Sequence, residues 1–266
     1  MSNYRSTLRT VLLVSLMMLA QSAPAAISDG LTAYFPFNGS ANDASSNGSH
    51  GTSSSGVSFT DGVAVQAARF DGLSGHVQVD DQSAGNLGTN ATIAFWFHAD
   101  ASNFASGEHR IFEKDAGAGA FWRFGVTSAG LVASVRGSNL SGPPEAQFEL
   151  FNPEFFTEFW TAIALRKTGG TFELFVNGTS VGTRTTTIGN IVVNSGMNFG
   201  SSLYANSQFY AGRVDEARIY DRALGSTEIA LLANPAAIPI PEPHIYALVI
   251  AGIGLVCYAT RRRRPL

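Results

Sequence analysis

Between residues 31 and 220 the apolar and aromatic residues come in short runs, and Gly, Asn or Ser breaks off each one. Several runs alternate: Ile93, Phe95 and Phe97 share one parity, as do Phe172, Leu174 and Val176. Successive side chains of a strand point to opposite faces, so this parity describes strands with one buried face. No segment before residue 225 sustains the spacing of an amphipathic helix. The runs predict strands over residues 31–37, 63–70, 76–79, 92–98, 110–113, 120–126, 131–136, 147–150, 160–165, 172–176, 180–183, 198–200 and 208–220. Asn177-Gly178, between FELFV and TSVGT, is the dipeptide that a type I′ hairpin demands, because both of its central residues take positive φ. More than ten antiparallel strands, one hairpin after another, predict an all-β chain folded as a two-sheet sandwich or jelly roll.

One short helix is expected to close this domain. After Gly225, Glu228 falls in the first turn and Ile229 and Leu232 are spaced to share a face. Residues 40–56 are polar and Gly-rich enough to be read as loop. The chain has 17 basic and 20 acidic residues. Six of the bases and one acid lie in the terminal segments, which leaves 11 bases and 19 acids in the middle, a balance of about −8. Such a domain lacks the cations needed to neutralise phosphates, which excludes nucleic acid as a partner. The single cysteine, Cys257, excludes an intrachain disulfide.

The two ends read as targeting segments. Arg5 and Arg9 precede the apolar run VLLVSLMMLA and the small residues Ala23-Pro24-Ala25, the order of a secretory signal peptide cut by signal peptidase. At the other end, residues 245–260 are free of charge and mostly apolar, and Arg261, Arg262, Arg263 and Arg264 follow at once. The segment is short for a bilayer core, but Tyr246 at the interface and snorkelling arginines extend its reach. The arginine cluster predicts a cytoplasmic tail, with the large domain on the other side of the membrane. The expected organisation is a signal peptide (1–26), the sandwich (27–234), a proline-rich spacer (235–244), a transmembrane helix (245–260) and a basic tail (261–266).

Pro241-Glu242-Pro243, followed by that apolar stretch and the arginines, resembles the PEP-CTERM sorting signal of Gram-negative bacteria. The resemblance implies that an exosortase processes the chain and that the protein ends at the cell surface or in the extracellular matrix. In the middle, Leu31 to Gly39, the loop at 42–52, Ala68 to Gly72, Thr92 to Trp96, Trp160 to Leu165 and Tyr210 to Leu224 resemble LamG-like jelly rolls of the laminin-G/concanavalin A-like superfamily. The match spans about residues 30–233. It implies a jelly-roll sandwich that binds carbohydrate or protein ligands.

Four residues of the domain stand out as candidates for binding. In the run 213–220, Asp215 shares parity with Ala217 and Ile219, so it is expected to point inward, where a carboxylate needs a partner or a metal. The loop at 42–52 adds Asp43 and a set of amide, hydroxyl and carbonyl oxygens, the ligand mixture of a hard cation. The LamG resemblance implies a structural Ca²⁺ held by Asp43, Asp215 and Asn47. The alternative is that Asp43 caps a turn and Asp215 pairs with an arginine. Trp122, near Gly-rich turns, is the aromatic expected to stack on a ligand. Hydrolysis has weaker support. Glu113 and Asp115 have the i, i+2 spacing of a retaining carboxylate pair, yet they sit at a strand end and read as solvated or salt-bridged surface. The chain has no HExxH, CxxC or phosphate-loop motif. The expected role is therefore recognition of a polysaccharide or surface protein without catalysis; a purely structural matrix component, or a glycoside hydrolase or lyase, is the alternative.

Overall fold

The alternating runs become two antiparallel sheets stacked face to face. The computed structural model describes residues 27–105, 107–115, 120–137, 146–203 and 207–237; the expected signal peptide, PEP motif, transmembrane helix and arginine tail lie outside them. In chain order the strands are β1 (Leu31–Phe35), β2 (Gly51–Ser53), β3 (Val57–Asp61), β4 (Gln66–Asp71), β5 (Val77–Val79), β6 (Asn90–Ala99), β7 (Glu108–Asp115), β8 (Phe121–Thr127), β9 (Gly130–Arg136) and β10 (Ala146–Phe151). A short helix α1 (Pro153–Glu158) leads into β11 (Thr161–Thr168), β12 (Thr171–Val176), β13 (Thr179–Thr185), β14 (Met197–Phe199) and β15 (Ala211–Tyr220), and helix α2 (Ser226–Leu232) follows.

Sheet A runs in the order β13-β12-β11-β6-β15-β4-β3, and β1 pairs with the second half of β15. Sheet B runs β10-β9-β8-β7-β14-β5-β2. The hairpin at Asn177-Gly178 forms as expected, with φ of 48° and 79°. Two strands and one helix depart from the sequence expectation. Gly51–Ser53 lies inside the stretch read as loop, yet it pairs with β5 as an edge strand. Val57–Asp61 pairs with β4, and helix α1 is held by Asn152, whose Oδ1 accepts from the Phe155 amide at 3.3 Å, with Pro153 at the first turn.

The inward parity of both sheets meets in an aromatic core. Phe35 and Phe37 from the sheet A side pack on Phe199 of sheet B at 5.5 and 5.4 Å between centroids. Phe95 of β6 meets Phe124 of β8 edge-on at 5.0 Å. Trp122 belongs to this core and does not stack on a ligand. It is fully buried, lies flat on Phe112 at 4.2 Å, and donates its indole N–H to the Gly85 carbonyl at 2.8 Å. The reason is parity: Trp122, Phe124 and Val126 all face inward along β8. Two lysines pin loops to the core. Lys114 Nζ donates to the carbonyls of Gln82, Ala84 and Ser195, and Lys167 Nζ to those of Gly88 and Thr89.

The outer face of sheet A is covered by α2. Ile229 and Leu232, the pair read from the sequence, pack on Ala94, Phe175 and Tyr220. Trp96, on the same outer face, donates its indole N–H to the Leu232 carbonyl at 3.0 Å. The helix is closed at its start by Glu228, whose carboxylate accepts from the Gly225 amide at 2.7 Å and from Arg222. Among the described residues no helix is long and apolar enough to cross a membrane.

Candidate functional site: a polar groove on sheet B

The outer face of sheet B is open where sheet A is covered. Cross-strand register sets Arg123 of β8 beside Ser134 of β9, and Ser134 beside Gln147 of β10, all on the parity opposite to the core. Glu149 and Phe151 follow along β10 on the same side. These residues, with Glu108 at the start of β7, line a groove of about 230 Å³. Gly125 lies between the outward Arg123 and Thr127, and a β-carbon there would come within 3.1 Å of Glu108.

Charge and aromatic surface alternate along the groove. Glu108 forms an ion pair with Arg110, and Arg110 Nε donates to Glu113 at 2.7 Å. Glu113 also accepts from Ser202 Oγ and the Leu203 amide, both at 2.9 Å. Glu113, read from the sequence as solvated or salt-bridged surface, is salt-bridged but buried. Arg123 lies over the Phe121 ring at 4.1 Å, and Arg136 over the same ring at 4.8 Å. Burial and the neighbouring Arg110 lower the pKa of Arg123, and its buried Nε has no hydrogen-bond partner. Gln147 Nε2 donates to Glu149. Phe151 is 70% exposed at the rim. The groove therefore offers a donor fork, an amide, carboxylates, a hydroxyl and a bare aromatic ring, a combination suited to a hydroxyl-rich ligand with apolar faces.

The loop and strand residues read as cation ligands sit elsewhere. Asp43 is buried, and its carboxylate accepts from the amides of Tyr34 (2.8 Å), Ser45 (2.8 Å) and Ser49 (2.9 Å) and from Ser45 Oγ (2.8 Å). Asn47 donates to the Thr32 carbonyl at 2.8 Å. These side chains brace the loop against β1, and a cation bound through Asp43 would have to displace four donors. Asp215 does not share the parity of Ala217 and Ile219. The pairing of β15 with β6 slips between Asp215 and Arg218, and Glu216 takes φ 54°, so a bulge turns Asp215 to the outer face. There its Oδ2 accepts from the amides of Val63 (2.7 Å) and Ala64 (3.3 Å), while Oδ1 is buried without a partner. Burial, then the adjacent Glu216, pushes the Asp215 carboxyl up to about 7. Glu216 accepts from Tyr34 Oη at 3.0 Å and pairs with Arg218. Among the described residues no group of three or more His, Cys, Asp or Glu side chains is gathered for a metal.

Arg123, Gln147, Glu149 and Phe151 were not singled out from the sequence. Their signal was available: they occupy the polar parity of strands whose other parity is Trp122, Phe124, Ala146 and Phe148. An aromatic residue on that polar parity, as at Phe151, is the mark of an exposed platform.

The comparisons with known proteins agree with this architecture. A family model described as the concanavalin A-like lectin/glucanases superfamily matches residues 70–230, and a model of the PEP-CTERM protein-sorting motif matches residues 239–264. Among solved structures, the binding domain of Paraclostridial Mosquitocidal Protein 1 superimposes with a TM-score of 0.64 at 18% identity, covering 79% of this chain and 53% of that one. Domain 4 of AbnA, an extracellular GH43 arabinanase from Geobacillus stearothermophilus solved in complex with arabinotriose, gives a TM-score of 0.60 at 18% identity, covering 77% and 98%. The receptor binding domain of botulinum neurotoxin D gives 0.64 at 12% identity, covering 78% and 53%. The chain thus spans about half the length of the toxin domains and nearly all of the arabinanase domain. A search of curated proteins returns no match. With more than half of its length matched, the chain belongs to the concanavalin A-like lectin/glucanase superfamily and carries a PEP-CTERM sorting motif at its C-terminal end.

Proposed function

We propose that this protein is an exported recognition module that binds carbohydrate in the groove on sheet B without cleaving it. The observation that carries this reading is the exposed Phe151 ring beside Arg123, Gln147 and Glu149. An aromatic ring stacks on the apolar face of a sugar while the polar side chains take its hydroxyls. The solved arabinanase domain, which has this fold and holds arabinotriose, supports a sugar ligand. The toxin neighbours are binding domains, which supports recognition over turnover. The sorting motif supports a route in which signal peptidase removes the leader, residues 245–260 hold the chain in the inner membrane, and an exosortase recognises Pro241-Glu242-Pro243. The protein then reaches the surface or matrix of a Gram-negative bacterium.

A glycan array probed with the full-length chain in non-ionic detergent tests the binding step. A neutral glycan is expected to bind, and Phe151→Ala is expected to weaken it by roughly tenfold, the loss of one stacked ring. Equal binding by the variant, or reducing sugar released from the bound glycan, rejects the reading. Sorting is tested separately by deleting Arg261 to Arg264, which is expected to alter processing; an unchanged mature form counts against it.

A further inference from the structure

On the face opposite the groove, sheet A carries a patch where Arg213 and Arg69 lie close to His98 and Asp100. Cross-strand register sets Arg213 of β15 beside Arg69 of β4 on one flank and His98 of β6 on the other. Like charges facing each other across strands repel, so such a pair needs compensation. Arg69 has it: Nη2 donates to Asp100 at 2.6 Å, and Nη1 to the carbonyls of Phe70 and Gly212. Among the described residues the Arg213 side chain makes no hydrogen bond or ion pair, and its guanidinium lies over the Trp160 ring at 5.1 Å. Asp215, two residues further along the same strand, is turned to the amides of Val63 and Ala64. His98 packs edge-on against Trp160 at 5.8 Å, and its buried Nδ1 has no hydrogen-bond partner. Burial and Arg213 lower the His98 pKa, which favours the neutral imidazole.

The patch thus holds one uncompensated cation in a domain whose balance is strongly negative. The cation is half-buried and pre-oriented by an aromatic ring. A guanidinium held this way presents parallel N–H donors that fit the paired oxygens of a carboxylate or sulfate, with little entropy left to lose. We infer that Arg213, with Arg69, His98 and Trp160, forms a second binding site, selective for the oxyanion groups of an acidic polysaccharide. It is independent of the groove, which presents carboxylates of its own and faces the other way.

Affinity electrophoresis of the full-length chain in non-ionic detergent, through gels cast with polygalacturonate, dextran sulfate or neutral dextran, tests this site. The wild type is expected to be retarded by one or both acidic polymers and not through this patch by dextran, and the responding polymer identifies the oxyanion. Arg213→Gln is expected to weaken that retardation by roughly tenfold, the loss of one charge-assisted contact, with a melting temperature within about 2 °C of wild type. Asp100→Asn frees Arg69 and is expected to strengthen retardation, a gain that a misfolded protein does not produce. Phe151→Ala is expected to leave the acidic-polymer response unchanged, which separates this site from the groove. Full retardation of Arg213→Gln, no gain from Asp100→Asn, or no acidic-polymer response in the wild type overturns the inference.

Discussion

Val214 enters the core, Asp215 faces out beneath the loop at 62–65, and Glu216 sits at φ 54° between them and Ala217, which returns to the core. Strict alternation was legible in the sequence and assigned Asp215 to the inner face. The bulge was not legible, because a glutamate carries no local signal for positive φ. Its consequence is a buried carboxyl faced by Glu216 on its own strand, by Tyr34 from β1 and by the amides of Val63 and Ala64. The folded state holds its proton up to about 7, against 3.8 ordinarily. Folding therefore takes up a proton between about pH 4 and 7, and stability falls as pH rises through that window. Asp215→Asn is neutral throughout, so urea titrations are expected to show wild type losing ~4 kcal/mol relative to the variant between pH 4 and 8. Parallel stability curves would mean that Asp215 is ionised in both states. Asp43 was legible as a loop carboxylate, and its four donors explain how burial is tolerated. With those donors in place, the melting temperature is expected to be the same in Ca²⁺ and in EDTA; a rise with Ca²⁺ would assign the loop a cation.

Strand β15 binds more of the molecule together than any local signal in it suggests. It pairs with β6 along one side and with β4 and then β1 along the other, and its outward residues from Asp215 onward lie under α2 and the loop at 62–65. The bulge that displaces Asp215 also places Glu216 and Arg218 together in this covered layer, where both are nearly inaccessible. Arg218 additionally stacks on Tyr34 at 4.1 Å, and Tyr34 Oη donates to Glu216. Truncating Arg218→Ala leaves Glu216 buried without its cation and is expected to cost ~3–5 kcal/mol by urea denaturation. A double variant, Arg218→Met with Glu216→Gln, removes both charges and is expected to recover most of that loss. If the single and double variants are equally unstable, the pair contributes by packing and not by charge. The strands with alternating apolar residues were readable because burial on one face imposes that pattern. Strands β2 and β3 were not, since edge strands of polar residues bury little and their pairing comes from neighbours distant in sequence. The Asn152-Pro153 start of α1 was readable in principle, but its single turn gives no periodicity to detect.

Both ends of the described domain leave from the sheet A side. Ile27 and Leu31 pack into the layer under α2 that contains Ile229 and Leu232, and Ala233 packs with Trp96 beyond it. The groove lies on the outer face of sheet B, with the thickness of the sandwich between. If the C-terminal segment anchors the chain before processing, the departure of both ends from the sheet A side is expected to turn sheet A toward the lipid and the groove away from it. The patch proposed at Arg213 would then lie on the membrane side of the domain and the groove at Phe151 on the far side. A cysteine-free background, Cys257→Ser, allows this orientation to be read directly. Ser128→Cys places a thiol in the exposed turn between β8 and β9 at the groove, and Leu231→Cys places one on the exposed side of α2. In detergent both thiols are expected to react with a maleimide carried on a bulky dextran. In proteoliposomes the thiol at position 128 is expected to keep its rate while the thiol at 231 reacts several-fold more slowly, because only the latter lies on the tethered face. Equal protection at both positions, or protection at 128 alone, would show that the anchored domain does not present its groove outward and would separate the fold's binding surface from its sorting.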